Sequence, residues 1–422
     1  MRRLPWRVAL VAAAGALAAA CAPRLPTAEA QGAHPSEQDF AQIERGRYLA
    51  VAADCAACHA DPGGSGALSG GRPIATPFGT VVAPNITPDR VSGIGGWNDA
   101  QFDGAVRLGR APDGKWLYPA MPFPYYSHMS AGDVAAIHAY LKTLAPVRHA
   151  VQADQLPFPF DIRAGMRLWD ALYFKPGVYH ADPAKSAEWN RGAYLVRGPG
   201  HCAACHTPKS HLGGDRAREP LQGYALQGWF APDIAGGQLL GLGLWSTDDV
   251  VAYLRTGHNR FAAASGPMAE EVADSTSRLA PPDLSAIAVY LKNEPDEAAH
   301  RGVPFDAREP AMQSGAAIYA DMCSACHRDD GKGVPYLFPN LADSSFVASN
   351  DPTSLVRVLI HGAQSVATRD EPTGPAMPAF GRQLTDDEIA AVATYVRNSW
   401  GHAAPTVSAN DVRKVRSERG AG

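Results

Sequence analysis

The chain has 422 residues, with 35 prolines, 41 glycines and a formal charge of −4. Its length exceeds one ordinary core and sets an expectation of two or three domains, while the Pro and Gly content points to a loop-rich architecture. No Lys/Arg block stands out, so the charge balance argues against nucleic acid as a partner.

The first segment, "MRRLPWRVALVAAAGALAAAC", is a basic start followed by an apolar Ala/Val/Leu run. It is too short and too alanine-rich for a membrane span and reads as a secretory signal over residues 1–30, with cleavage after Ala30 of "AEA". Its removal takes four arginines and one glutamate and moves the formal charge from −4 to −7. The competing reading is lipidation at Cys21, against which Leu17 sits one place too early for the usual attachment pattern. No later stretch is apolar for long enough to cross a bilayer, so the expectation is an exported protein that is at most peripheral.

Downstream, one unit recurs three times. Each copy opens on a short helical stretch that ends in CxxCH: "ERGRYLAVAADCAACH", "NRGAYLVRGPGHCAACH" and "QSGAAIYADMCSACH". Then "APNITPDRVSGIGGW" matches "APDIAGGQLLGLGLW", with Ile86 and Ile234 each eleven residues before Trp97 and Trp245; "FPNLADSSFVASN" is the third unit's echo. A helix follows in each: "NDAQFDGAVRLG", "STDDVVAYLRTG" and "DPTSLVRVLIHG". Polar residues cap these helices, Pro352 suits a first turn, and Gly109, Gly257 and Gly362 fit a left-handed stop.

A methionine flanked by proline comes next, in "YPAMPFP", "SGPMAEE" and "GPAMPAF". The closing helices are "SAGDVAAIHAYLKTL", "APPDLSAIAVYLKNE" and "LTDDEIAAVATYVRNSW". In the third, Ile389, Val392, Val396 and Trp400 share a face, and Thr385 with Glu388 makes a capping box. Tyr140, Tyr290 and Tyr395 recur at one position, which predicts packing against the first helix of the same unit. The pattern gives α-rich domains at 36–150, 186–296 and 306–402. The segment 151–185 contains "LPFPFDIRAGMRLWDALYF" and is too aromatic for a free linker, so it should pack between the first two domains. The polar tail, 403–422, is expected to be mobile.

Six of the seven cysteines lie in the CxxCH copies. Two thiols at this spacing can reach both vinyl groups of one haem from one helical turn, and the adjacent histidine can ligate its iron; CxxCH is the attachment signal of haem c. A zinc site needs four ligands where each copy offers three, and a thioredoxin-like dithiol needs a βαβ context. Disulfides would leave the triplicated histidine unexplained. The expected cofactors are therefore three covalently bound haem c groups. The sixth iron position separates an electron carrier, with histidine and methionine, from a haem with open ligand chemistry.

Register nominates the methionines. Met121 lies 62 residues after His59, Met268 lies 62 after His206, and Met377 lies 50 after His327 in a unit lacking the longer insertion. Core packing is the ordinary role of methionine, but repeated position beside proline favours ligation. His128 and Met129 compete in the first unit and His258 in the second. His138, His201, His211 and His361 keep no register and read as structural. Trp97 and Trp245 read equally as cofactor-pocket walls or as plain core.

"YPAMPFPYYSHMS", "EWNRGAYLVRGPGHCAACHTP", "GWFAPDI" and "AAVATYVRNSWG" resemble the three-haem cytochrome c subunit of bacterial membrane-associated dehydrogenases, over about residues 40 to 402. That family serves quinoprotein alcohol dehydrogenases and flavoprotein gluconate, sorbitol, fructose and glucose dehydrogenases. The resemblance implies an all-α fold of three tandem class I cytochrome c domains with Gly/Pro-rich loops and little β structure. It implies Cys55, Cys58, His59 and Met121 for the first haem, Cys202, Cys205, His206 and Met268 for the second, and Cys323, Cys326, His327 and Met377 for the third.

It also implies a periplasmic subunit at the outer face of the cytoplasmic membrane, passing electrons from a flavoprotein or quinoprotein dehydrogenase to ubiquinone or another carrier. Molybdenum hydroxylases and aldehyde oxidases have similar partners, which leaves the donor's cofactor open. No paired carboxylates, Ser/His/Asp set or phosphate loop suggests a catalytic site on this chain. The alternatives are a haem enzyme with an open sixth position and a soluble shuttle cytochrome.

Overall fold

Helix crossings organise the chain, and each depends on a glycine that lets two backbones touch. In the computed structural model, which describes residues 35–64, 67–237, 240–294 and 303–418, three leading helices span Pro35–Ala52, Ala187–Arg197 and Pro310–Met322. They cross closing helices at Ala131–Leu141, Pro281–Lys292 and Asp386–Asn398. A Cβ on Gly46 would stand 1.8 Å from the Ala136 carbonyl oxygen, one on Gly192 1.9 Å from that of Ala286, and one on Gly315 2.3 Å from that of Ala391. No side chain fits in such gaps. The Cβ atoms of Tyr290 and Tyr395 lie 2.7 and 2.6 Å from the same points on Gly192 and Gly315, which places these tyrosines against the leading helices.

Each crossing nucleates an apolar core. The first gathers Leu49, Phe102, Val134 and Ile137, the second Leu195, Val250, Leu284 and Ile287, and the third Val356, Ile389, Val392 and Val396. Middle helices at Asp99–Leu108, Thr247–Thr256 and Thr353–His361 complete them. Reciprocal capping boxes start three of these helices: Asn98 with Gln101, Ser246 with Asp249, and Thr385 with Glu388. These satisfy amide groups that the first turn leaves unpaired.

Gly109 and Gly257 end their helices in the left-handed conformation, at φ 62° and 77°. Gly362 departs from that expectation. Its φ is 75° but its ψ is −177°, because the chain must run straight into a short ribbon with Met377. Pro352 stands at the cap position itself, ahead of Thr353. Among the described residues the strands form three two-stranded antiparallel ribbons, Pro73–Thr76 with Gly79–Val82, Gln222–Leu226 with Trp229–Asp233, and Ala363–Gln364 with Ala376–Met377.

The aromatic segment after residue 150 packs between the first two cores. Trp169 and Phe174 meet Phe123 edge-on, Phe160 lies 4.9 Å from Phe78, and the Trp169 indole donates to the Leu212 carbonyl at 2.8 Å. The first unit's own contacts run past the expected boundary at 150, since Thr80 and Gln155 exchange backbone bonds.

The tail corrects the expectation of mobility. Residues Ala409–Ser417 form a capped helix whose Val412 and Val415 are buried in the third core, together with Val407. Arg397, fully buried, donates to the Pro405 and Val347 carbonyls, and burial lowers its pKa to about 10. Arg416 binds Asp386 at 2.9 Å. Three valines in an otherwise polar run carry the anchoring. The signal segment, with Cys21 and Ala30, lies outside the described residues.

The third crossing gives a direct test. Gly315→Ala should lower stability by about 1–3 kcal/mol, the usual cost of overpacking, as measured by chemical unfolding of the purified chain.

Candidate cofactor-binding site

Each CxxCH folds as a short helical turn at the end of its leading helix: Cys55–His59, Ala203–His206 and Ser324–His327. The entry into the first two turns bends sharply. Asp54 and His201, each just before the first cysteine, adopt positive φ of 45° and 36°. The bend lets the helix stop and the turn face the core.

The histidines share a bond that the spacing of the motif did not disclose. Nδ1 of His59, His206 and His327 lies 2.8, 2.6 and 3.0 Å from the carbonyl oxygens of Pro84, Pro232 and Pro339. A carbonyl only accepts, so Nδ1 carries the hydrogen and Nε2 keeps its lone pair. Burial, partly opposed by that bond, holds all three imidazoles below the usual histidine pKa and therefore neutral. An oriented neutral imidazole with a free Nε2 is what a metal ligand requires.

The sequence signal was the repeated Pro-Asx-Ile/Leu. In each copy the Asx side chain folds the loop that presents the carbonyl. Asn85 accepts from the Thr87 amide and hydroxyl and donates to Val147 and Ser92, while Asp233 accepts from Ala235 and Asn340 from Asp343.

The six thiols are not joined to one another. Burial pushes the pKa of Cys55 and Cys202 up to about 12, and that of Cys58, Cys205 and Cys323 up to about 11. These five stay protonated, unlike the low-pKa thiols of redox motifs.

A cavity of about 450 Å³ runs between the second and third cores. Cys202, His206 and Met268 line one part of it, and Cys323, His327 and Met377 the other. Its walls are mainly apolar and include Trp245, which stacks on Phe261 at 5.8 Å. Paired thiols, a bare imidazole nitrogen and a thioether around an apolar volume fit a haem. The first set does not open onto this cavity. Cys55, Met121, Ile86 and Trp97 instead pack, half-buried, on the first core.

The methionines ride on different local structures: Met121 in a turn, Met268 at the start of the helix Pro267–Asp274, and Met377 on a strand. Their rivals are placed elsewhere. Met129 is fully buried within the first core, and His128 faces the Tyr125 carbonyl. His258 is buried with Nδ1 on the Thr256 carbonyl and does not line the cavity. His138 is buried, stacked on Phe102 and bonded to Asp99 at 2.7 Å, whereas His211 and His361 are exposed. His201, read as structural, does line the cavity.

These features define a c-type cytochrome, and the cytochrome c family profile matches residues 43–145 and 312–400. The chain is 39% identical over 399 residues to the gluconate 2-dehydrogenase cytochrome c subunit of Pantoea cypripedii, covering 90% of each. It is 38% identical over 403 residues to the alcohol dehydrogenase (quinone) cytochrome c subunit of Gluconacetobacter polyoxogenes, covering 91% of this chain and 86% of that one. The fructose dehydrogenase cytochrome subunit of Gluconobacter japonicus is 37% identical over 412 residues, with 91% and 84% covered. The chain belongs to this family of dehydrogenase cytochrome c subunits.

The loop behind the first histidine supplies a test. Asn85→Ala leaves buried donors and acceptors unmet and should lower stability by about 1–3 kcal/mol, read from the midpoint of denaturant unfolding.

Proposed function

We propose that the chain is a three-haem electron-transfer subunit, built as tandem cytochrome c domains at 36–150, 186–296 and 306–402. The observation that carries this reading is the threefold recurrence of a buried CxxCH imidazole held at Nδ1 by a prolyl carbonyl. Cys55 and Cys58, Cys202 and Cys205, and Cys323 and Cys326 would hold the three rings as thioethers. His59, His206 and His327 would ligate the irons through their bare Nε2, together with the thioethers of Met121, Met268 and Met377. Bound haem takes up and releases single electrons.

The protein's part is to exclude water and fix the ligands. The prolyl carbonyls make each imidazole a stronger donor, and apolar walls such as Trp245 and Phe261 line the second site. The donor is proposed to be a flavoprotein or quinoprotein dehydrogenase, and the acceptor membrane ubiquinone or another carrier. The setting is proposed to be the periplasm, at the outer face of the cytoplasmic membrane. The cytochrome subunits named above support the dehydrogenase as partner.

Haem content and spectrum test the reading. The purified chain should contain three haems, all low-spin, with the methionine–iron charge-transfer band. Cys202→Ala with Cys205→Ala should remove one of them. Met268→Ala should convert about one third of the haem to a high-spin form. Fewer than three haems, or a stable high-spin fraction in the unaltered chain, overturns the three-haem carrier and favours an open-site haem enzyme. Co-purification of a dehydrogenase at moderate salt, with its flavin or quinone identified, tests the partner; its absence favours a shuttle.

A further inference from the structure

The first two units face each other through the same residues used twice. Tyr48, on the first leading helix, donates to Asp283 at the start of the second closing helix at 2.5 Å. Tyr194, at the matching place on the second leading helix, donates to Asp133 at the start of the first closing helix. Each aspartate is also bound within its own unit by an arginine three residues before the tyrosine of that unit. Arg45 reaches Asp133 at 2.6 Å, and Arg191 grips Asp283 through two bonds at 2.7 and 2.8 Å.

The resemblance extends to the backbone. The Ala280 amide, at the cap of the second closing helix, donates to the Tyr48 hydroxyl at 3.1 Å, and the Ser130 amide acts on Tyr194 from the corresponding position. Asp133 and Asp283 are both buried. A patch that meets its own counterpart, residue i to j and j to i, has the logic of a two-fold interface, here within one chain.

The third unit does not carry this set. Ser314 and Ala317 stand where the others have arginine and tyrosine, and Glu388 is turned back onto its own cap at Thr385.

Two further ties join this interface to the CxxCH turns. Arg72 donates to the Ala57 carbonyl inside the first turn at 2.6 Å and to Glu270 of the second unit at 2.7 Å. Lys209 donates to the Ala203 carbonyl in the second turn at 2.7 Å and to Tyr125 of the first unit at 3.1 Å. Both turns are therefore braced by a cation that also contacts the opposite unit.

We propose that the reciprocal Tyr48–Asp283 and Tyr194–Asp133 latches are positioning devices that set the angle between the first and second haem sites. They make those two units a rigid pair to which the third is joined differently. The assignment of haem to these sites rests on the function proposed above. The latches themselves are protein–protein contacts and can be judged without it.

The test uses the full chain with its cofactors. In the double variant Y48F/Y194F both hydroxyls go while the rings remain. Haem content and the absorption spectrum should match the unaltered chain, whereas the Soret circular dichroism, which reports relative haem orientation, should change shape. The single variants Y48F and Y194F should each change it in the same sense, and they serve if the double variant does not accumulate. The control Y395F, on the third core, should leave it unaltered.

An unchanged Soret dichroism in all latch variants, or the same change in Y395F, overturns the proposal. Fewer than three haems in the unaltered chain refutes the three-haem reading instead. The latches are then read from calorimetry alone: one joint transition of the first two units that splits in the double variant upholds them, and unchanged melting overturns them.

Discussion

Direct contact between two helix backbones sets the geometry of every unit. Where a leading and a closing helix cross at Gly46, Gly192 or Gly315, the space for a Cβ is already taken by a carbonyl oxygen. That approach aligns the end of the leading helix with the core, and the CxxCH turn follows within a few residues of that end. A wider crossing would leave the turn to swing on Asp54 or His201, whose strained backbone geometry is tolerable only when its surroundings are fixed. Packing thus precedes chemistry here: the crossing places the histidine, and the histidine is then tuned by what it meets.

What it meets is a prolyl carbonyl. Proline suits this place because its nitrogen carries no hydrogen to satisfy, while its carbonyl can be aimed by the Asx residue that follows. Asn85 alone ties its loop at Thr87, Ser92 and Val147. The bond fixes ring orientation and tautomer together, so Nε2 keeps its lone pair without a charged group being added to an apolar site. The neutral state of the three imidazoles follows from burial first and from the carbonyl second.

Much of this was legible because it is local. The CxxCH copies, the helix periods and the capping pairs all lie within a few residues of one another, and the structure carries helices where those patterns stand. Pro84, Pro232 and Pro339 escaped because a backbone acceptor leaves no side-chain chemistry to notice, and their distances from the histidines, 25, 26 and 12 residues, are not constant. Gly362 was misread because its ψ is set by a tertiary partner: the Cβ it lacks would lie 2.6 Å from the Met377 carbonyl oxygen. The tail was misread because three spaced valines are a weak signal in a polar run, and nothing local announced that Arg397 would bond Pro405. The Tyr–Asp latches join residues 61 and 235 apart, a pairing no window along the chain can reveal.

The cavity shared by the second and third cores has a bearing on how the chain comes into being. Units made in sequence from the N-terminus ordinarily close one after another. Here the walls around Cys202 and His206 continue into those around Cys323 and His327. A nascent chain that ends before residue 303 presents an unfinished apolar hollow to solvent. The hollow beside Cys202 and His206 is closed on that side only once the third core is in place, so enclosure of the two regions is coupled along the chain.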